Sequence, residues 1–316
     1  MAEELKLHHP WLVAVWPGMG HVAISAGYYL MAKLEMHLLA EFSPRELFDT
    51  EHVEVKGGLI RIAGLPRSRF FVWTDPAKQH DLVVFLGDAQ PPGGKHPFCC
   101  RLIDFAQQLG IERVFTFAAM ATQMHPEQES RVFGAAIDED SLAELKRLEL
   151  EILEDGQIGG LNGVLLGVAA EVGLTGACLL GEMPHIFVQF PYPKAALSVL
   201  KVFTTMTGIQ LDMSELAEEA KASDQQLAKM LERVRRSLGQ VPEEEEEPAF
   251  SAELAEEERP EEGRPSAAEL RKIEQLFEQA GRDRSKAYEL KQELDRLGAF
   301  KDYEDRFLDL FKKNGA

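Results

Sequence analysis

Apolar positions along this chain follow two rhythms. The stretches Trp11–Trp16, Asp81–Leu86 and Val114–Phe117 are almost uninterrupted apolar runs, the pattern of strands buried on both faces of a sheet. Pro17-Gly18-Met19-Gly20 breaks the first run. His21–Met36 then predicts a helix whose small residues Ala23, Ala26 and Gly27 permit close approach to a sheet, and His37–Phe42 predicts the next strand. Residues 52–74 hold short strand-like runs split by Gly57-Gly58 and Gly64-Leu65-Pro66, which predicts a meander or hairpin added to the sheet. A helix is expected over residues 97–109. Between 131 and 158 the pattern allows a strand at 131–137, a short helix at 139–147 and a strand before the turn Glu154-Asp155-Gly156. Helices are predicted at 163–172, Pro193–Gly208 and Ser214–Gly239, with a strand at Gly176–Leu180.

Strands alternating with helices imply a mostly parallel sheet covered on both faces. Residues 1–240 therefore read as one α/β domain, a three-layer α/β/α sandwich. Residues 266–316 return to the helical rhythm. Ser266 with Glu269 makes a capping-box start. Leu270, Ile273, Leu276 and Phe277 form one stripe, and Tyr303, Phe307, Leu310 and Phe311 form another, with Gly281 and Gly298 dividing two or three short helices.

Charge is concentrated between these two parts. The chain of 316 residues carries a net charge of −19. Residues 241–265 hold eleven Glu and two Arg, a net of −9; residues 266–316 balance to zero, which leaves −10 for residues 1–240. The Pro/Glu-rich 241–265 segment cannot bury a core and reads as a disordered or extended linker. An acidic surface disfavours nucleic acid and anionic membrane as partners. The three cysteines, Cys99, Cys100 and Cys178, form no C-x-x-C pair and fit a reducing compartment. No apolar run reaches membrane-spanning length, and the N-terminus resembles neither a signal nor a transit peptide. A cytoplasmic protein is the expectation.

Ligands of open α/β sheets bind beyond the carboxyl ends of strands. Three polar loops are expected there: Pro17–His21 with Gly18, Gly20 and His21; Gly87–Gln90 with Asp88 and Gln90; and Gly181–His185 with Glu182 and His185. Asn162, in Gly159–Gly163 at a helix start, could join them, because helix N-termini offer free N–H groups. Each also has a structural reading. Gly18 and Gly20 lack the rest of a phosphate-binding fingerprint. His21 at a positive helix end suits a neutral, hydrogen-bonding imidazole better than a base. Asp88 and Gln90 can serve a turn, and Glu182 with His185 can line a polar rim. No catalytic set, metal-ligand spacing or nucleophile elbow is recognisable.

The ordered set Trp16-Pro17-Gly18-Met19-Gly20 before a helix, Phe85-Leu86-Gly87-Asp88-Ala89-Gln90-Pro91 after a central strand, and Gly159-Gly160-Leu161-Asn162-Gly163-Val164-Leu165-Leu166, followed by Leu179-Leu180-Gly181-Glu182 and Pro193 through Leu211-Asp212, resembles the proteasome assembly chaperone family. This is the group named for the second eukaryotic assembly chaperone, here in a bacterial-type form. The resemblance covers residues 10–225 and excludes the tail. It implies a phosphorylase/hydrolase-like α/β/α fold and homo-oligomers. In eukaryotic and archaeal relatives it implies binding to proteasome α-subunits. The chain departs from the hydrophobic-Tyr-any ending with which proteasome-docking chaperones and activators often finish, since it ends Lys313-Asn314-Gly315-Ala316; a proteasome contact through that device is not expected.

The reading that follows is a non-catalytic, homo-oligomeric protein-binding module that uses no cofactor and assists assembly of a proteasome-like or other protein complex. An alternative is a small-molecule enzyme or sensor built on Gly18, Gly20, His21, Asp88, Gln90, Asn162 and Glu182. A third possibility places partner binding on the Tyr303, Phe307, Leu310 and Phe311 face of the tail.

Overall fold

The structure is a computed structural model and describes residues 6–42, 47–48, 53–62, 65–238 and 265–312. The uninterrupted apolar runs become the middle of an eight-stranded sheet. In chain order its strands are β1 (Trp11–Val15), β2 (His37–Phe42), β5 (Ser68–Trp73), β6 (Leu82–Gly87), β7 (Arg113–Thr122), β8 (Val132–Ala136), β9 (Glu151–Ile152) and β10 (Thr175–Pro184). A separate two-stranded ribbon holds β3 (Val53–Lys56) and β4 (Leu59–Ile62). The spatial order of the large sheet is β2-β5-β6-β1-β7-β10-β8-β9. Its four middle strands, β6, β1, β7 and β10, are mutually parallel. β5 pairs antiparallel to β6 and β2 to β5, and β8 pairs antiparallel to β10. The sheet is thus parallel at its centre and mixed towards its edges.

Helices cover both faces, as a sheet apolar on both sides requires. They are α1 (Val22–Lys33), α2 (Lys95–Gln108), α3 (Glu139–Arg147), α4 (Gly160–Glu171), α5 (Pro193–Thr207) and α6 (Ser214–Leu238). Alternate residues of β1 choose the face. Leu12, Ala14 and Trp16 join Phe85, Phe98, Leu102, Leu161 and Leu165 in a core under α2 and α4. Val15 points the other way, where α1 comes so close that a Cβ at Gly27 would lie 2.5 Å from Val15 Cγ2. On that face Phe203 of α5 packs edge-on against Phe115 and Phe117 of β7. The result is the three-layer α/β/α sandwich.

Three expectations need correction. The ribbon expected to add to the sheet contributes only β5; among the described residues β3 and β4 pair only with each other. β7 and β10 each extend to ten residues, because the parallel ladder continues through Ala118–Thr122 and Leu180–Pro184, past the ends of the expected strands. Glu182 therefore stands on a strand and not in a loop.

The described residues divide into two compact units, and the division falls between Asp224 and Gln225, inside α6. The second unit carries α7 (Ala267–Arg282), α8 (Ala287–Arg296) and α9 (Phe300–Asp309). Ser266 and Glu269 form the capping box at the start of α7. Ile273, Leu276, Phe277, Leu290, Leu294 and Phe307 are buried. The acidic segment lies outside the described residues except for Pro265.

Candidate functional site

The first strand-end turn is held from both sides. Gly20 has φ 58°, the left-handed region that favours glycine. Its N–H donates to Val188 O at 2.9 Å, and its carbonyl accepts from Tyr192 N–H at 2.8 Å. A Cβ there would sit 2.7 Å from Met183 Sδ. Gly18 is extended and exposed, and its carbonyl accepts from His21 N–H at 3.0 Å. His21 caps α1 with φ 51° and is exposed. The turn is closed onto the segment after β10, so both backbone polar groups of Gly20 serve structure.

The second loop splits. Asp88 is drawn towards β5: its Oδ2 accepts from Arg67 N–H at 2.8 Å, its own N–H donates to Arg67 O at 3.0 Å, and Oδ1 lies 3.9 Å from the Arg69 guanidinium. Gln90 goes the other way. Its Oε1 accepts from Leu161 N–H at 3.0 Å and so occupies the N-terminus of α4. Helix starts leave such N–H groups without intrahelical partners, and the preceding Gly159 offers no side chain to satisfy them. Gly160 is glycine for two reasons: φ is 68°, and a Cβ would lie 2.7 Å from Gln90 Oε1. The structure thus brings Gln90 beside Asn162 and leaves Asp88 apart from them. Asn162 O accepts from Thr116 Oγ1 at 3.4 Å. Asn162 Oδ1 and Trp16 Nε1 are buried without a hydrogen-bond partner among the described residues.

Glu182 is 2% exposed and paired throughout. Oε1 accepts from Thr122 Oγ1 at 2.7 Å and from Arg131 NH2 at 2.8 Å, and Oε2 accepts from Arg131 Nε at 2.8 Å. Its backbone joins in, with Ser130 Oγ donating to Glu182 O at 2.6 Å. The forked bonds from Arg131, ahead of the opposing cost of burial, hold the carboxyl below its ordinary pKa. It is an ionised structural carboxylate and a weak base. His185 does not pair with it; the ring Nδ1 lies 3.0 Å from Thr122 O. Nearby, Lys194 Nζ reaches Asp224 Oδ2 at 2.6 Å and Gln128 O at 2.9 Å. Burial pushes the Cys99 and Cys178 thiols up to about 12, away from nucleophilic thiolate. Among the described residues no group of His, Cys, Asp and Glu could hold a metal ion, and no helix is long and apolar enough to cross a membrane.

In the helical unit Phe307 and Phe311 are buried, and Tyr303 and Leu310 are half-buried. Phe307 lies against Phe300 and Phe311, and Tyr303 against Phe277. The stripe is therefore spent largely inside the protein.

Two surfaces escaped the residue-by-residue reading. One is the β3–β4 ribbon, where Val53, Val55, Leu59 and Ile60 are exposed. The other is a groove of about 420 Å³ between β8, the segment after β9 and α4. The alternation in Val53–Lys56 was a legible signal for the ribbon. The groove joins three short segments, 135–137, 153–158 and 163–170, and left no local signal.

A model described as the PAC2 family matches residues 12–231. An uncharacterised protein of Methanocaldococcus jannaschii is 26% identical over 227 residues, which span 71% of this chain and 84% of that one. The crystal structure of Pyrococcus furiosus PbaB, described as an archaeal proteasome activator, aligns with a TM-score of 0.61 at 28% identity and covers 72% of this chain and 96% of its own. Pyrococcus furiosus PbaA, described as an archaeal homologue of proteasome-assembly chaperone, aligns with a TM-score of 0.56 at 25% identity and covers 74% and 93%.

Proposed function

We propose that this chain, which belongs to the PAC2 family, is a non-catalytic protein-binding module that self-associates and assists assembly of a multisubunit complex of proteasome-like or other type. The carrying observation is the family match over residues 12–231 together with likeness to proteins described as a proteasome activator and an assembly-chaperone homologue. The state of the strand-end residues supports the reading. Glu182 is consumed by Arg131 and Thr122, Gln90 by the start of α4, and Gly20 by the turn itself. Side chains committed to fixed structural bonds have little left with which to turn over a substrate.

One observation favours a second reading. Trp16 Nε1 and Asn162 Oδ1 are a buried donor and acceptor without partners, and buried polar groups seek partners. A small molecule bound at the strand ends could supply them.

Native mass spectrometry of the full chain purified from its own cells tests both. A stoichiometric foreign subunit supports the assembly role and identifies the client. A homo-oligomer that carries a small ligand mass and no client supports the sensor or enzyme reading and rejects the first.

A further inference from the structure

The turn Thr74–Asp81 carries the chain from β5 to β6, across the end of the sheet where the parallel strands β1, β6 and β7 begin. Most of it is exposed, but Asp75, His80 and Asp81 are buried. Two carboxylates hold it. Asp75 Oδ1 accepts from Ala77 N–H at 2.9 Å, and its Oδ2 accepts from Gln79 N–H at 2.7 Å and His80 N–H at 3.4 Å. Asp81 Oδ1 accepts from Asp75 N–H at 2.9 Å, and its Oδ2 accepts from His8 N–H at 2.8 Å. The Asp81 backbone adds two bonds: its N–H donates to His8 O at 2.8 Å, and its carbonyl accepts from Trp11 N–H at 2.9 Å. The turn and the segment leading into β1 are thus one hydrogen-bonded unit. Lys78, with φ 53°, sits in the left-handed region that favours glycine, so these bonds hold the turn against strain.

The His80 ring closes that unit. It stacks on the Trp11 indole, with centroids 4.2 Å apart and planes 13° apart. The Arg113 guanidinium, paired with Glu144 of α3, also lies over the indole, 4.5 Å from its centroid. His80 Nε2 is buried without a hydrogen-bond partner among the described residues. A neutral imidazole tolerates such a place. An imidazolium would need an acceptor for its second N–H and would stand close to a permanent cation. Asp75 and Asp81 face the ring, but their oxygens already accept from backbone N–H groups.

The balance has a sign. Burial is the largest influence and, with Arg113, outweighs the pull of Asp75 and Asp81, so the imidazole is held below its ordinary value of 6.5. A histidine depressed in this way takes up its proton more readily once its surroundings open. Acid therefore favours opening, and the effect begins as pH falls through about 6.5. It acts first on the exposed turn, since few buried apolar contacts restrain it, and spares the strands, whose apolar residues are buried on both faces.

We propose that His80 is a pH-sensitive latch at the amino ends of the strands: neutral, it clamps the turn 74–81 and the entry segment 8–10 onto the sheet; protonated, it releases both while the eight-stranded sheet stays folded. The latch lies at the opposite end of the strands from Gly20, Gln90 and Glu182 and goes beyond the assembly role. Two further imidazoles lie on the entry segment, those of His8 and His9, and the His9 ring is 2.6 Å from Glu112. Both residues are exposed, and their contribution is separated by substitution.

Hydrogen exchange of the full chain at pH 7.5 and 5.5, corrected for the intrinsic pH dependence of exchange, tests it. The amides of Trp11, Asp75, Gln79 and Asp81 report the latch, and those of Val84 and Phe115 report the sheet. At pH 5.5 the wild type is expected to lose protection several-fold at the latch and none in the sheet. The ceiling is about tenfold, because one unit below 6.5 an ordinary imidazole is about ten times more often charged than neutral. His80→Phe keeps a ring for Trp11 and has no titratable nitrogen; His80→Gln is neutral and polar. Both should show equal latch protection at the two pH values. The loss should persist in a variant carrying His8→Gln with His9→Gln. Wild-type latch protection that does not change with pH overturns the proposal, whatever the variants do. So does a loss that survives both His80 substitutions, one that disappears with His8 and His9, or one shared equally by latch and sheet.

Discussion

A carboxylate removed from water has to be compensated where it sits, and Glu182 receives its compensation from Arg131, Thr122 and the surrounding backbone. Its carboxyl titrates below the ordinary value of 4.5 in the folded chain. A depressed folded pKa contributes stability that is present above the unfolded value and is lost as pH falls through the folded one. Denaturant midpoints of the wild type should therefore decline as pH drops below about 4.5. The Glu182→Gln midpoint should start lower at neutral pH and decline less steeply; parallel curves would contradict the assignment. The same residue separates what sequence carries from what only the fold makes. Glu182, Gln90 and Gly20 stood out by type and by position near strand ends. Their partners did not, because Arg131 lies 51 positions from Glu182 and Leu161 lies 71 from Gln90. Hydrogen bonds of that span are made by the fold and carry no local signature.

Elements were more legible than sites, for a physical reason. A strand buried on both faces must be apolar at every position, so the runs in β1 and β6 announce themselves. The ends of β7 and β10 do not, since ladder bonds hold Ala119–Thr122 against Gly181–Pro184 through the backbone whatever the side chains. Helix α1 carries a clearer mark in Gly27, whose missing side chain admits Val15. Gly27→Ala should cost about 1–3 kcal/mol by overpacking. A double-mutant cycle with Val15→Ala should recover more than about 0.5 kcal/mol of coupling in urea denaturation; strict additivity would mean that the two do not touch. The tail stripe was correctly apolar and helical, but periodicity cannot say what a stripe faces. Phe307 is buried against Phe300 and Phe311, so Phe307→Ala should destabilise the helical unit by about 3–5 kcal/mol. A variant with unaltered helix content and melting would reject that role.

At the scale of the whole molecule, the two compact units each enclose buried apolar residues. Calorimetry of the full chain should accordingly resolve two transitions. Gly27→Ala should lower only one of them and Phe307→Ala only the other; a single transition moved by both would show that the chain unfolds as one cooperative body. The order of strands has a further consequence, in time. β7 finishes at Thr122, yet the neighbour that completes its ladder, β10, ends at Pro184, and their paired residues are 62 positions apart. At synthesis rates of about 5–20 residues per second, roughly 3–12 s pass between the emergence of the two. For that interval the nascent chain presents an apolar strand with one unpaired edge, the kind of surface that invites wrong pairing. The chain thus passes through a vulnerable stage on the ribosome, and non-local parallel pairing of this kind closes slowly.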